Sequence, residues 1–341
     1  MSGPDVPGGR GERRPVTENG SGEGVDEGMT GRAAGAVAWV DVDPPRPAVL
    51  DVVARALAED LLPMGDLTAG LVPPDVRRAV AVVSRAEGVV AGRACAEEVF
   101  AQVDPTVAVD WRLPDGERVA PGAVVAVVEG PLRSILTAER SALNLLCHLS
   151  GIATLTRRYV DAVTAANPST RVLDTRKTLP GLRSVQKAAV RAGGGTNHRG
   201  SLSEAVLVKD NHLGGLTIAE AVAVAALRWP GRMIEVECDT ADQVVEAVAA
   251  GATVVMLDNM SPEEAAQCVG LVRRDGPGVL VEVSGGVTLE RAPAYAAAGV
   301  DLVSVGALTH SAPSLDLGLD LVDRPRPGSD PQSTAPDRQG S

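Results

Sequence analysis

Six short apolar runs, each ending at a polar or glycine residue, constrain what this chain can fold into. They are residues 172–173, 205–208, 233–236, 254–257, 280–283 and 302–305. They recur about 20–30 residues apart, the spacing a repeated strand–helix unit needs. Helix-start signals follow several of them: Thr217 before Ile218, Thr240 before Ala241, Ser261-Pro262 with Glu264, and Thr288 before Leu289. Parallel strands with helical crossovers follow. An open doubly wound sheet competes with a barrel, but polar residues after nearly every run favour the barrel, which gathers all strand ends on one face.

The chain before these repeats reads differently. Val49, Leu50, Val53, Leu57 and Leu61 recur at helical spacing, and Gly65-Asp66-Leu67-Thr68 reads as a turn with Asp66 or Thr68 capping. Strand-like stretches follow around Val80 and Val82, from Val107 to Trp111, and from Ala123 to Val128, with a helix from Ala94 to Val103. Pro114-Asp115-Gly116 has hairpin-turn composition. A long helical pattern runs from Leu136 to Leu149 and on past Gly151 to Ala166. Within it His148 sits among leucines, as a core histidine would. Near the end, Leu315, Leu317, Leu319 and Leu321 alternate with Asp316, Gly318 and Asp320, which is strand periodicity.

The predicted fold is therefore an N-terminal α+β domain with an antiparallel sheet, joined to a C-terminal TIM-like parallel α/β barrel, complete or incomplete. The predicted boundaries are a disordered tail at 1–44, the N-terminal domain at 45–150 with 312–323 returning as a strand, the barrel at 151–311, and a second tail at 324–341. The tails are rich in Gly, Pro and charge without apolar periodicity, too little to offset ordering entropy.

Composition narrows the function. Net charge is −12 and aromatics make up 2%, so the basic face and stacking platforms of nucleic-acid binders are missing. No apolar run reaches the roughly 20 residues of a membrane span, and no signal peptide precedes the first domain. Cys95, Cys147, Cys238 and Cys268 are scattered without a C-x-x-C pair, which suits reduced core residues and a cytoplasmic location. A G-x-x-x-x-G-K-[ST] loop is missing too, which excludes a P-loop nucleotidase.

Against the acidic background one span is densely cationic: Arg176, Lys177, His198, Arg199 and Lys209, placed where apolar runs stop. Positive charge at strand ends implies a small, multiply anionic ligand. The segments that carry it are Asp174-Thr175-Arg176-Lys177-Thr178, Gly193-Gly194-Gly195-Thr196-Asn197-His198-Arg199 and Lys209-Asp210-Asn211-His212. Together with the later EVECDT, LDNMSP, EVSGG and SVGALTHS, their order resembles the quinolinate phosphoribosyltransferases, from about Ala48 to Val322. One departure is Gly200-Ser201-Leu202-Ser203, where a Gly-Leu pair commonly follows the NHR motif.

That resemblance implies a transfer from 5-phosphoribosyl-1-pyrophosphate (PRPP) to quinolinate with loss of CO₂, giving nicotinate mononucleotide for NAD biosynthesis. It implies a quinolinate site of Arg140, Arg176, Lys177, His198, Arg199 and Lys209. Arg140 would reach it from the other subunit, in a homodimer or in a hexamer built of such dimers. PRPP would meet Lys209, Glu237, Asp258, Ser284, Gly285, Gly286, Gly306 and His310. Glu237, Asp258 and Lys177 would be catalytic, with Mg²⁺ on Glu237 and Asp258 directly or through water. The residue chemistry agrees: Arg grips carboxylates bidentately, Mg²⁺ takes few protein carboxylates, and glycines on late barrel strands bare backbone N–H groups to phosphate. Two rivals stand beside this reading. One is a related phosphoribosyltransferase accepting another base; the other is a non-catalytic phosphate-binding barrel.

Overall fold

The computed structural model describes residues 42–321; the predicted tails fall almost wholly outside the described residues. The chain opens with helix α1 (Arg46–Leu61), which buries Val49, Val52, Val53 and Leu57. Asp66 then closes a turn as predicted, its Oδ1 accepting from the Thr68 and Ala69 amides. Next come β1 (Arg77–Ser84), β2 (Gly88–Val89), α2 (Arg93–Val103), β3 (Ala108–Trp111), β4 (Arg118–Val119) and β5 (Val124–Pro131). β1 pairs antiparallel with β5, and β5 with β3.

The residues at 114–116 do not make a hairpin. β3 leads away to β4, which pairs with β2 instead. The reason is local: Asp115 turns its carboxylate back to accept from the Gly92 and Arg93 amides at the start of α2. Burial raises the Asp115 pKa despite those donors.

α3 (Leu132–Ala166) is one unbroken helix of 35 residues that belongs to both halves. It packs on α2 and β5 on one side and on the barrel's elements on the other. Those elements are β6 (Arg171–Leu173), α4 (Arg183–Ala192), β7 (Val206–Val208), α5 (Asp210–Leu213), α6 (Ile218–Arg228), β8 (Ile234–Cys238) and α7 (Ala241–Ala250). β9 (Val254–Asp258), α8 (Pro262–Asp275), β10 (Leu280–Ser284), α9 (Ala292–Ala297), β11 (Leu302–Ser304) and α10 (Ala307–His310) complete them.

Six strands form one parallel sheet in the order β6-β11-β10-β9-β8-β7. β6 and β7 are not paired; Thr196 bridges to Leu173 beside the gap. Side chains from the 196–199 segment, β8 and β10 meet in the interior, so the sheet curves round as an incomplete barrel.

The caps predicted at Thr217, Thr240 and Ser261 are all present, each with its reciprocal Glu or Gln partner. Each such cap is worth about 1 kcal/mol. Thr288 is not one. It holds a turn, accepting from Arg291, and α9 begins at Ala292 just ahead of Pro293, which suits a first helical turn.

β12 (Leu317–Leu321) returns to the first domain and pairs antiparallel with β1. Its approach crosses α3 at Gly151, where a Cβ would lie 2.1 Å from the Pro313 carbonyl oxygen. Only glycine permits that crossing.

Candidate active site

Alternation along the barrel strands decides which side chains enter the lumen. On β8, Glu235 and Glu237 face inward, and Cys238 turns outward toward Cys268 of α8, as predicted. β9 ends at Asp258, which the register sets level with Ser284 of β10. These ends open into a cavity of about 630 Å³.

Of the predicted residues, Arg176, Lys177, His198, Arg199 and Lys209 line it on the cationic side. Glu237, Asp258, Ser284, Gly285 and Gly286 line it on the other. Gly306 and His310 fall outside its lining but border it. A Cβ on Gly306 would lie 3.1 Å from Lys177 Cδ and 3.3 Å from His310 Nε2. Arg140 lies exposed on α3 and does not reach the cavity of its own chain.

Buried hydrogen bonds fix the cationic wall. Asp174, fully buried at the end of β6, accepts from Lys187 Nζ, from Asn197 Nδ2 (2.6 Å) and from the His198 amide (2.9 Å). Lys187 also donates to the His198 carbonyl. Burial raises the Asp174 pKa and lowers that of Lys187, each being partly offset by the other. Arg199 is nearly buried and donates to the Ala205 carbonyl. Burial, then the neighbouring Arg176 guanidinium, pull its pKa down. Two like charges held this close suit a guest carrying more than one carboxylate.

His198 behaves differently from a simple substrate donor. Its Nδ1 accepts the Arg199 amide at 2.8 Å, so the ring proton resides on Nε2. Nε2 lies 3.0 Å from Glu235 and 3.6 Å from Glu282. The first separation is short but off the line of an N–H hydrogen bond, so neither Glu235 oxygen is hydrogen-bonded among the described residues. Burial drags the imidazole pKa down, but the two carboxylates outweigh it and leave it raised.

On the acidic side, Glu237 pairs with Lys209. One Asp258 oxygen accepts from Asn259 Nδ2 at 2.7 Å. Asn259 holds φ +55, a left-handed conformation that Asn tolerates. Gly285 (φ +86) packs onto it so closely that a Cβ would lie 2.3 Å from the Asn259 Oδ1. A bare, left-handed Gly285-Gly286 turn thus borders the cavity beside Asp258.

Sequence reasoning passed over Glu235, Glu282 and Ser304, which stand two residues before Glu237, Ser284 and Gly306 on the same inward faces. Period-two counting back from the strand ends would have found them. It also passed over Asp174 and Lys187 as the pair that shapes the wall.

The chain matches two family models: "Quinolinate phosphoribosyl transferase, N-terminal domain" over residues 66–150, and the C-terminal domain of the same family over residues 152–320. It is 43% identical over 283 residues to the carboxylating nicotinate-nucleotide pyrophosphorylase of Mycobacterium leprae, covering 80% of this chain and 97% of that one. To the human enzyme of that name it is 39% identical over 244 residues, 71% of this chain and 81% of the other. The structure of nicotinate-nucleotide pyrophosphorylase from Francisella tularensis superposes with a TM-score of 0.77 at 40% identity, covering 82% of this chain and 98% of that chain.

Proposed function

The chain belongs to the quinolinate phosphoribosyl transferase family, and from that premise we propose that its strand-end cavity carries the family's reaction. The chain is a carboxylating nicotinate-nucleotide pyrophosphorylase in function: it joins quinolinate to PRPP and releases pyrophosphate and CO₂ on the way to NAD. The observation that carries the site assignment is the gathering of four permanent cations, three carboxylates (Glu237, Asp258 and Glu282) and a bare glycine turn in one cavity.

Arg176 and Arg199 bind the two carboxylates of quinolinate; burying such a dianion without paired charge would be prohibitive. Lys177, whose stem runs beside Gly306 and His310, meets the phosphorylated donor at the opposite end. Gly285, Gly286 and Gly306 offer backbone amides to the 5′-phosphate. Lys209 is shared: it holds Glu237 in the free chain and turns to the pyrophosphate when the donor arrives.

The pyridine nitrogen attacks C1 of the ribose as pyrophosphate departs. Glu237 and Asp258 stabilise the positive charge that develops on the sugar. Decarboxylation follows, the ring nitrogen, now cationic, drawing the electron pair left at C2. No protein nucleophile is required, and most of the rate comes from positioning and fixed charge.

Glu237 and Asp258 are also the residues that would hold Mg²⁺. Two carboxylates that end neighbouring strands suit an ion that takes most of its ligands from water and substrate phosphate. Bound there, the ion supplies charge neutralisation for the leaving pyrophosphate. Arg140 of the partner subunit completes the dicarboxylate site in a homodimer or a hexamer of dimers. Among the described residues no helix is long and apolar enough to cross a membrane, and four free cysteines favour the cytoplasm.

The test is an assay with PRPP, Mg²⁺ and either quinolinate or nicotinate. Nicotinate mononucleotide and one CO₂ per turnover should appear from quinolinate, with no product from nicotinate. Turnover of nicotinate alone would refute the substrate.

A further inference from the structure

Replacing the C2 carboxylate of quinolinate by hydrogen consumes one proton, and none of the residues assigned above supplies it. Beneath the cationic wall, however, His198, Glu235 and Glu282 bring their polar atoms within 4.8 Å of one another. Glu235 is 0% exposed with both oxygens unpartnered by hydrogen bonds among the described residues. Glu282 is 1% exposed; one oxygen accepts from Ser304 Oγ at 2.6 Å, and it lines the catalytic cavity.

Two buried carboxylates this close cannot both be ionised without great cost, so one holds a proton. Glu235 lies nearer the Nε2–H of His198, at 3.0 Å against 3.6 Å for Glu282. Glu282 then carries the proton, and burial followed by the charge of Glu235 pushes its pKa up to about 8. A metal ion is a poor tenant for the trio. With Nδ1 taken by the Arg199 amide, Nε2 bears hydrogen where a metal ligand must be bare.

A second cavity, of about 310 Å³, opens on the other end of the lumen, among Met233, Val254, Leu280 and Leu302 at the strand starts. His198, Arg199 and Glu282 line both cavities, so they form the partition between them. On the reading given under Proposed function, we propose that Glu282 is the acid that protonates C2 and that the second cavity is the route by which solvent reloads it. The bond from C2 to the carboxylate breaks and its electron pair stays on C2 as CO₂ leaves. The Glu282 O–H bond then breaks and a C2–H bond forms. The carboxylate left behind recovers a proton from water on the far side, and no oxidant or reductant is involved.

Glu282→Gln keeps the shape and the Ser304 contact but has no acidic proton. In single turnovers with quinolinate, PRPP and Mg²⁺, pyrophosphate release and nicotinate mononucleotide formation are timed separately. Expected is pyrophosphate release within about threefold of wild type and mononucleotide formation slowed about 100-fold, the usual contribution of a general acid. KM values should stay near wild type, and formate added to Glu282→Ala should restore part of the lost rate. Wild-type mononucleotide formation in Glu282→Gln overturns the proposal. So does an equal slowing of both steps with raised KM and no rescue, which marks a merely structural residue. Should Glu282→Gln not fold, Leu280→Trp decides: this residue is 42% exposed at the second mouth. Over successive turnovers, plugging there should spare the first round of mononucleotide formation and slow the later ones, and unchanged steady-state kinetics would count against the route. A wild-type enzyme that makes no mononucleotide would instead sink the family reading itself.

Discussion

Arg176 is half-buried on the cavity wall and close enough to Arg199 to depress that residue's pKa. Truncating one partner of a desolvated charge pair costs about 2–5 kcal/mol, so Arg176→Ala should weaken quinolinate binding by roughly 30-fold or more. Titration calorimetry should show this with the thermal transition preserved; wild-type affinity would remove Arg176 from the dicarboxylate site. Glu282 makes a prediction about stability. Its ordinary pKa is 4.5 and its folded value about 8. Between those values the folded chain keeps a proton that the unfolded chain gives up. Its contribution to stability is therefore intact at acid pH and lost as pH rises through the window, by a few kcal/mol in all. Glu282→Gln lacks this dependence, so its melting temperature relative to wild type should climb between pH 5 and pH 8.5. A constant difference would show that Glu282 is ionised throughout. Residues of this kind were hard to read in the sequence. Arg176, Lys209, Glu237 and Asp258 announced themselves because an apolar run stops there. Glu235 and Glu282 sit inside runs, where a single acid looks like an interruption and only the curved sheet shows what it faces.

At the scale of elements, the six runs, the caps at Thr217, Thr240 and Ser261, and the period-two strand near the end were legible because each obeys a local rule. The false cap at Thr288 and the false hairpin at 114–116 arose where a contact distant in sequence, or a proline just ahead, decided the local geometry. The turn Asp258-Asn259 against Gly285 is a further case, since nothing in the sequence says the two loops touch. Gly285→Ala should test it. The new methyl would meet Asn259 at 2.3 Å, and φ +86 strains any L-residue besides. Left-handed strain alone costs about 1–2 kcal/mol. KM for PRPP is expected to rise at least tenfold while quinolinate affinity stays within about twofold; an unchanged KM would separate this turn from the phosphate.

For the whole molecule, the proposed site draws on two copies of the chain. Arg140 is exposed on α3 and outside its own chain's cavity, while Lys209 lies within it. If each subunit lends Arg140 to its neighbour, Arg140→Ala and Lys209→Ala should each be nearly inactive alone. Mixed and reassembled, half the dimers would hold one intact site of two, restoring about a quarter of wild-type activity through an isologous interface. No recovery on mixing would confine the site to one chain.

α3 has a consequence for how substrates enter. A single rod of 35 residues is built into the antiparallel half and the barrel alike, with the returning strand locked across it at Gly151. Such a spine leaves no joint about which two jaws could swing. Admission and release must then be the business of the short turns around the cavity's rim, and their tempo, rather than any swing of the halves, would set how fast the enzyme exchanges its cargo.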